Sequence, residues 1–558
     1  MAETTAPSRH APGLAGTIAR LSGLDVLTLA LAAAVAVPIL SVVFSVFAGF
    51  GPTFIHIVET VLFEYAANTI ALTLLVVTGV LLIGVPAAWL VAACEFPGRR
   101  VLEAALILPL AAPAYVLAYA YADFLSAFGP LQTALRDFTG WEAGDYWFPD
   151  VRSLPGAAAM LILVLYPYVY LLARARFLSE SATAREAARL MGRGAWGVFF
   201  EVSLPLARPA LVAGAALAAM ETIADYGTVS YYGVPAFTTG IYNAWFSFSD
   251  PIAASQLAAI LIGFVALALV FEQTLRGGAR FHEMGRRDAR PARYPLSGKQ
   301  SAAAILACTL PPVFGFLIPA LVLLSLLLDS GGPARDFGRH LLNSLTLAGG
   351  ASVIVTIGAL VLAFAKKERP KALAGRAASF AAMGYAVPGA VIAVGVLSSL
   401  VFLDGIVTRI IGASNGLVLT GSIAALLFAY LVLYLAVALH SIESGLERVT
   451  PSIAAAAKLL SRGAFDRLTR VHLPLIAPSV LTGALLVFVD VMKELPATLM
   501  LRPFNFDTLA IAANNYASDE RLYWAAAPSL AIVAAGIIPC ILLIRGIAAS
   551  EHGSGGRT

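Results

Sequence analysis

The chain has 558 residues, 59% of them hydrophobic and 13% charged, with a formal net charge of +4 and a mean hydropathy of +0.84. A soluble globular domain carries about 25% charged residues, so the class of ordinary soluble enzymes is excluded. So small a net charge gives no electrostatic footing for a nucleic-acid partner.

In chain order, residues 1–23 form a tail without the apolar core of a cleavable signal. Apolar runs follow near 24–47, 67–93, 101–124, 154–177, 209–232 and 252–275, and again near 302–328, 341–365, 378–402, 416–440, 476–499 and 524–546. A helix of about 20 apolar residues crosses the bilayer core, where no water can hydrogen-bond open backbone. An all-α polytopic membrane protein with twelve transmembrane helices is therefore expected from these runs. Residues 276–301 carry seven basic and two acidic side chains and read as a cytoplasmic linker, because positive loops stay inside. The loop 125–153, with two basic and four acidic residues, then lies outside, and the tails 1–23 and 547–558 both lie in the cytoplasm. Trp141, Tyr146, Trp147 and Phe148 in that outer loop suit either a docking face for an external protein or an aromatic belt at the lipid surface. Cys94, Cys308 and Cys540 read as small packing residues. The seven His include no local pair spaced for a metal, and His472 reads as satisfied or solvated.

One polar island occurs twice. Residues 186–210, EAARLMGRGAWGVFFEVSLPLARPA, match 455–479, AAAKLLSRGAFDRLTRVHLPLIAPS, at 11 of 25 positions without a gap, at an offset of 269. The repeat extends outward. Asn68-Thr69 and Asn343-Ser344 open the second run of each half, and Pro113 and Pro388 lie in the third, all at an offset of 275. The organisation expected is two homologous six-helix halves, 24–275 and 302–546, in the same orientation and joined by the linker 276–301. Each island reads as a short small-residue helix, a break at Gly192-Arg193-Gly194 or Ser461-Arg462-Gly463, and a second short helix that ends at Leu204-Pro205 or Leu473-Pro474, where the next span begins.

This island resembles the Glu-Ala-Ala loop of permease subunits of binding-protein-dependent ATP-binding-cassette importers. The first copy matches that pattern with Glu186, Ala187, Ala188, Gly192, Leu204 and Pro205; the second has Ala455 in place of Glu and Ser461 in place of Gly, while Ala456, Ala457, Leu473 and Pro474 match. Further stretches, ETIADYGTVSYYG at 221–233, FTTGIYNAWF at 237–246, GYAVPGAVIAVG at 384–395, DVMKELPATLMLRPFNFDTLA at 490–510 and ASDERL at 517–522, are similar to iron(III) importer permeases of the fused two-half type. The resemblance covers nearly all of 24–546. It implies the type I importer permease fold, a bacterial inner-membrane location, and a chain that is a transport subunit rather than an enzyme. It also implies a coupling helix in each loop, docked on one of two copies of an ATPase subunit, and an external substrate-binding protein. ATP and magnesium would belong to that ATPase, with no cofactor on this chain. Thiamine and aminophosphonate permeases are close relatives in the same class, so the cargo stays open between these.

No phosphate-loop motif is present: Gly298-Lys299 is followed by Gln300, and Arg293 stands where the earlier glycine is needed. Energy must therefore come from a partner. Ionisable residues inside a span raise a functional hypothesis, and the offset of 269 pairs Glu221 with Asp490 and Asp225 with Glu494. Glu221 follows Pro209 by about 18 Å of helix, near mid-membrane, and Glu221 and Asp225, four apart, would share one helix face. Tyr226 and Lys493 stand beside these acids. Two roles remain open: a polar path for a hard cation such as Fe³⁺, or carboxylates that cap broken helices, with Lys493 paired to one of them. An ion-coupled secondary transporter would also use such acids, but has no use for the coupling islands.

Overall fold

The computed structural model describes residues 23–179, 191–192, 194–276, 293–370, 372–381, 387–411, 419–460 and 463–552. Eleven helices among them are long and apolar enough to cross a membrane, and a twelfth span is a bent pair, Arg99–Ala111 and Ala114–Phe124, angled at 93°. The bend has a local cause. Proline disfavours helical backbone in the residue before it, and Ala112 is extended (φ −104°, ψ 128°) ahead of Pro113, which opens the Ala114–Phe124 helix. Pro388 stands at the corresponding place before the helix Gly389–Ile411. Each proline therefore stands immediately before a helix, and Pro113 marks the bend of its span.

The duplication is visible in element lengths. The Leu62–Ala93 helix and the Phe337–Glu368 helix have 32 residues each, and both of their ends are offset by 275. Glycine lets the first of these approach its neighbour closely. A Cβ on Gly84 would stand 3.0 Å from the Tyr166 carbonyl oxygen and 3.0 Å from Val169 Cβ, both on the Leu154–Ser179 helix. In a bilayer, where apolar burial drives no helix association, such small-residue contacts supply the packing.

The helices fall into two compact units. The first gathers residues up to Val37, Ala351–Tyr385 and Tyr430–Val487, and holds the second island; the second gathers Pro38–Gly350, Ala386–Ala429 and Phe488–Thr558, and holds the first island and every candidate pathway residue. Within the second unit, the end of the linker is fastened to the first half. Cys94–Glu95 and Tyr294–Pro295 form a two-residue parallel bridge, and Arg293 pairs with Glu95 at 3.3 Å.

Two expected spans end early. The run predicted to 232 leaves the helix at Ala224, and the run predicted to 499 leaves it at Met492. Short helices, Gly227–Tyr231 and Pro496–Leu501, follow each break. Window-averaged hydropathy could not place these breaks, because the few polar residues at them, Asp225 to Thr228 and Lys493-Glu494, are smoothed out over a window of about 19 residues.

Candidate translocation and coupling sites

Both islands fold alike over their described residues. A single turn, Ala195–Val198 or Ala464–Arg467, passes into a five-residue π-helical turn, Phe199–Ser203 or Leu468–His472, and then into a long helix, Leu204–Ala224 or Leu473–Met492. Every one of these starts is offset by 269. The expected helix end at Leu204-Pro205 and Leu473-Pro474 is therefore corrected: the helical path runs through both prolines. Proline clashes with the carbonyl four residues back, and the wider π turn immediately before it relieves that conflict.

Glu186, Ala187, Ala188 and Ser461 lie outside the described residues. Gly192 has φ +78°, a left-handed value that favours glycine. Ala455, Ala456 and Ala457 lie on the helix Pro451–Leu460, with Ala455 and Ala456 exposed and Ala457 buried. Apolar side chains crowd the exposed surface of both islands: Met191 and Trp196 in the first, Leu459, Leu460 and Phe465 in the second. Exposed apolar groups on a loop expected in water mark a partner surface.

The candidate pathway residues converge at the two helix breaks, though not as four acids on two helix faces. Asp225 is extended (ψ 131°) just beyond the helix end, so it does not share a helix face with Glu221. Its carboxylate accepts hydrogen bonds from the Thr228 and Val229 amides at 3.1 and 3.0 Å and from the Thr228 hydroxyl at 3.0 Å. Glu494 repeats the arrangement. It accepts from the Ala497 and Thr498 amides at 2.7 and 2.8 Å and from the Thr498 hydroxyl. A carboxylate at a helix start satisfies amides that have no partner inside the helix and complements the positive end of its dipole. Asp225 and Glu494 thus hold the broken ends, and Glu494 is buried in doing so.

The other acids remain accessible. Lys493 pairs with Asp490 at 2.9 Å, with the two side chains 34% and 25% exposed. Glu221 lies within electrostatic range of Lys493, Asp490 and Asp225 and is half-buried. Among the described residues no three His, Cys, Asp or Glu side chains are placed to hold a metal ion. The cluster can therefore set the charge of a passage, but it is not a chelating site.

Tyr115 and Tyr242, which sequence reasoning did not single out, join the two breaks together with Tyr226. Tyr226 stacks on Tyr242 at 3.8 Å, and the Tyr242 hydroxyl donates to the Pro496 carbonyl. The Tyr115 hydroxyl donates to the Lys493 carbonyl at 3.1 Å. A Cβ on Gly227 would lie 2.7 Å from Tyr115 Cβ and 3.0 Å from Leu495 Cδ2. The Asn-Thr and Asn-Ser pairs noted in the sequence have matching tasks. Asn68 donates to the Pro235 carbonyl and Asn343 to the Asp507 carbonyl, at 2.9 and 3.0 Å. The hydroxyls of Thr69 and Ser344 accept from the Phe237 and Leu509 amides, at 3.3 and 2.7 Å. Each pair clamps the start of the helix beyond its break, Phe237–Tyr242 or Leu509–Ser518.

His472 differs from expectation. It is buried to 1% exposure with its ring against Phe364 at 5.4 Å, and its Nδ1 has no hydrogen-bond partner among the described residues. It is neither solvated nor fully satisfied, because the π turn points it into the helix packing. In the loop 125–153, Tyr146 is tied down, donating to Gln132 at 2.8 Å, whereas Trp147 is exposed. The three cysteines are buried and none is in a disulfide among the described residues.

The family described as binding-protein-dependent transport system inner membrane component matches residues 82–273 and again 354–551. The chain belongs to this family. The permease is also similar to an Fe(3+)-transport system permease protein of Haemophilus influenzae, 28% identical over 491 residues that cover 86% of this chain and 89% of that protein. A molybdenum transport system permease protein of Escherichia coli is 28% identical over 190 residues, 34% of this chain and 80% of its own. A sulfate transport system permease protein of Escherichia coli is 33% identical over 162 residues, 29% of this chain and 53% of its own. The two family matches explain the duplicated island: each copy of the permease domain brings its own.

Proposed function

We propose that this permease carries iron(III) across the inner membrane as the transmembrane subunit of an ATP-driven importer. The observation that carries this reading is the similarity to a ferric permease along 86% of the chain, against about a third for the molybdenum and sulfate permeases. A binding protein delivers cargo on the outer face. Two ATPase copies, with ATP and magnesium, dock on the inner face, one at each coupling island. The duplicated domains 24–275 and 302–546, the basic linker 276–301 and both tails keep the orientation read from loop charge.

In this reading Glu221, Asp490 and Lys493 line the passage, with Tyr226 beside them, while Asp225 and Glu494 keep the broken helices in place. Two accessible carboxylates against one ammonium leave the passage net negative, which suits a cation. Binding of ATP draws the coupling islands together and opens the path outward, and hydrolysis resets it; this cycle is the one the family resemblance implies.

The test is reconstitution of the permease in proteoliposomes with its ATPase and binding protein. Fe³⁺-loaded binding protein should stimulate ATP hydrolysis and drive iron uptake. Stimulation by molybdate, sulfate or thiamine, with none by Fe³⁺, would overturn the cargo assignment. Uptake driven by an ion gradient without ATPase would overturn the transporter class.

A further inference from the structure

The two islands fold alike but are anchored differently. The last turn of the Phe337–Glu368 helix and the residue after it read Lys366-Lys367-Glu368-Arg369, and each side chain is fastened to a residue outside that helix. Lys366 pairs with Glu443 at 2.7 Å. Lys367 donates to the Leu446 carbonyl. Arg369 pairs with Asp25 at 2.6 Å. Glu368, 12% exposed, pairs with Arg467 at 2.8 Å and lies 3.9 Å from Lys458. Lys458 is on the island's first helix and Arg467 is on its second turn. One carboxylate therefore spans both parts of the second island.

The stretch that carries Glu368 has no charged counterpart beside the first island. At an offset of 275, Val91, Ala92, Ala93 and Cys94 replace the charged stretch, and at an offset of 269 Val198 replaces Arg467. All five are buried. Among the described residues the first island's π turn is packed by rings: Phe199 lies against Trp89 at 5.2 Å, Phe177 at 6.4 Å and Trp196 at 6.1 Å.

We propose that Glu368 is the positioning residue of the second coupling loop, holding the helix Pro451–Leu460 and the turn Ala464–Arg467 at one angle through Lys458 and Arg467. The first loop takes its position from ring packing. This rests on the coupling-loop reading above and adds that force passes through the second loop by way of an ionic contact at Glu368, an acid that the first half replaces with Ala93. Loss of the Glu368 charge then loosens loop two, whose two parts it joins.

The test uses the full permease reconstituted with its ATPase and binding protein. Two quantities are read: cargo moved per ATP hydrolysed, and crosslinking to the ATPase from Cys at Met191 in loop one or Ala456 in loop two. In E368Q the transport-to-hydrolysis ratio should fall, by about 2- to 30-fold for a residue that modulates coupling without touching either ligand. The Ala456 crosslink should weaken and the Met191 crosslink should hold. Exchange of the charges, E368R with R467E in a K458Q background, should restore both readouts; a purely steric role would not be rescued by reversal. Wild-type values in E368Q, or no recovery on exchange, overturn the proposal. Should E368Q fail to assemble, the exchange variant decides alone. Wild-type protein that crosslinks at neither loop sinks the docking reading itself, whereas wild-type crosslinking with an indifferent E368Q sinks only the role of Glu368.

Discussion

Replacing Glu494 with Gln isolates what its carboxylate does. The two oxygens of Glu494 serve different donors: Oε1 takes the Ala497 amide at 2.7 Å, while Oε2 takes the Thr498 amide at 2.8 Å and also the Thr498 hydroxyl. Gln has nearly the same shape but only one acceptor oxygen. Whichever way the amide is turned, its NH₂ faces a backbone N–H of the first helical turn, where no intrahelical acceptor exists, and a buried donor left unsatisfied costs about 1–3 kcal/mol. The site is only 7% exposed, so water does not make up the loss. The expected cost of Glu494→Gln is therefore about 2 kcal/mol, or roughly 30-fold in the local equilibrium. Asp225→Asn removes the same kind of contact at a half-buried position, where water can compensate, and should cost less than half as much. The assay is unfolding of the detergent-purified permease, in a double-mutant cycle with Thr498→Val. Coupling between Glu494 and Thr498 should exceed about 0.5 kcal/mol, the level at which independent sites are additive. Additivity within that margin, or a larger loss in Asp225→Asn than in Glu494→Gln, would refute the assignment of these acids as helix-start acceptors.

Three other outcomes follow from the same geometry. Glu221→Gln combined with Asp490→Asn should abolish iron uptake while the complex still assembles on size-exclusion chromatography; wild-type uptake would remove both from the passage. Gly227→Ala should destabilise the permease by about 1–3 kcal/mol through overpacking, since the new methyl would meet Tyr115 Cβ at 2.7 Å; Ala tolerated with an unchanged melting temperature would show that the breaks are loosely packed. Asn68→Leu and Asn343→Leu should behave alike, each costing about 1 kcal/mol for one lost hydrogen bond and raising hydrogen exchange in 237–242 or 509–518; protection unchanged in both segments would deny the clamp.

Much of the arrangement was legible in the chain. Long apolar runs required membrane helices, since only a helix satisfies its own backbone in lipid. The offset of 269 placed Glu221 with Asp490 and Asp225 with Glu494 before any coordinate was known. The helix-start role of Asp225 had a sequence signal that went unused: Asp-Tyr-Gly-Thr at 225–228 puts an acid three residues before a Thr, beside a glycine. The anchoring residues had no such signal. Glu368 and Arg467 stand 99 residues apart, and nothing local tells that they meet.

By itself, then, the sequence determined the class of protein, the count of its spans and its internal duplication, because those depend on the length and composition of runs and on comparison of one stretch with another. Tertiary structure decided where the helices break and what holds the breaks. Hydropathy sums side chains over a window and is blind to which backbone amides lack a partner. The same limit explains the anchor at Glu368. The carboxylate of Glu368 meets Lys458 and Arg467 of the second island only when residues distant in the chain are brought side by side.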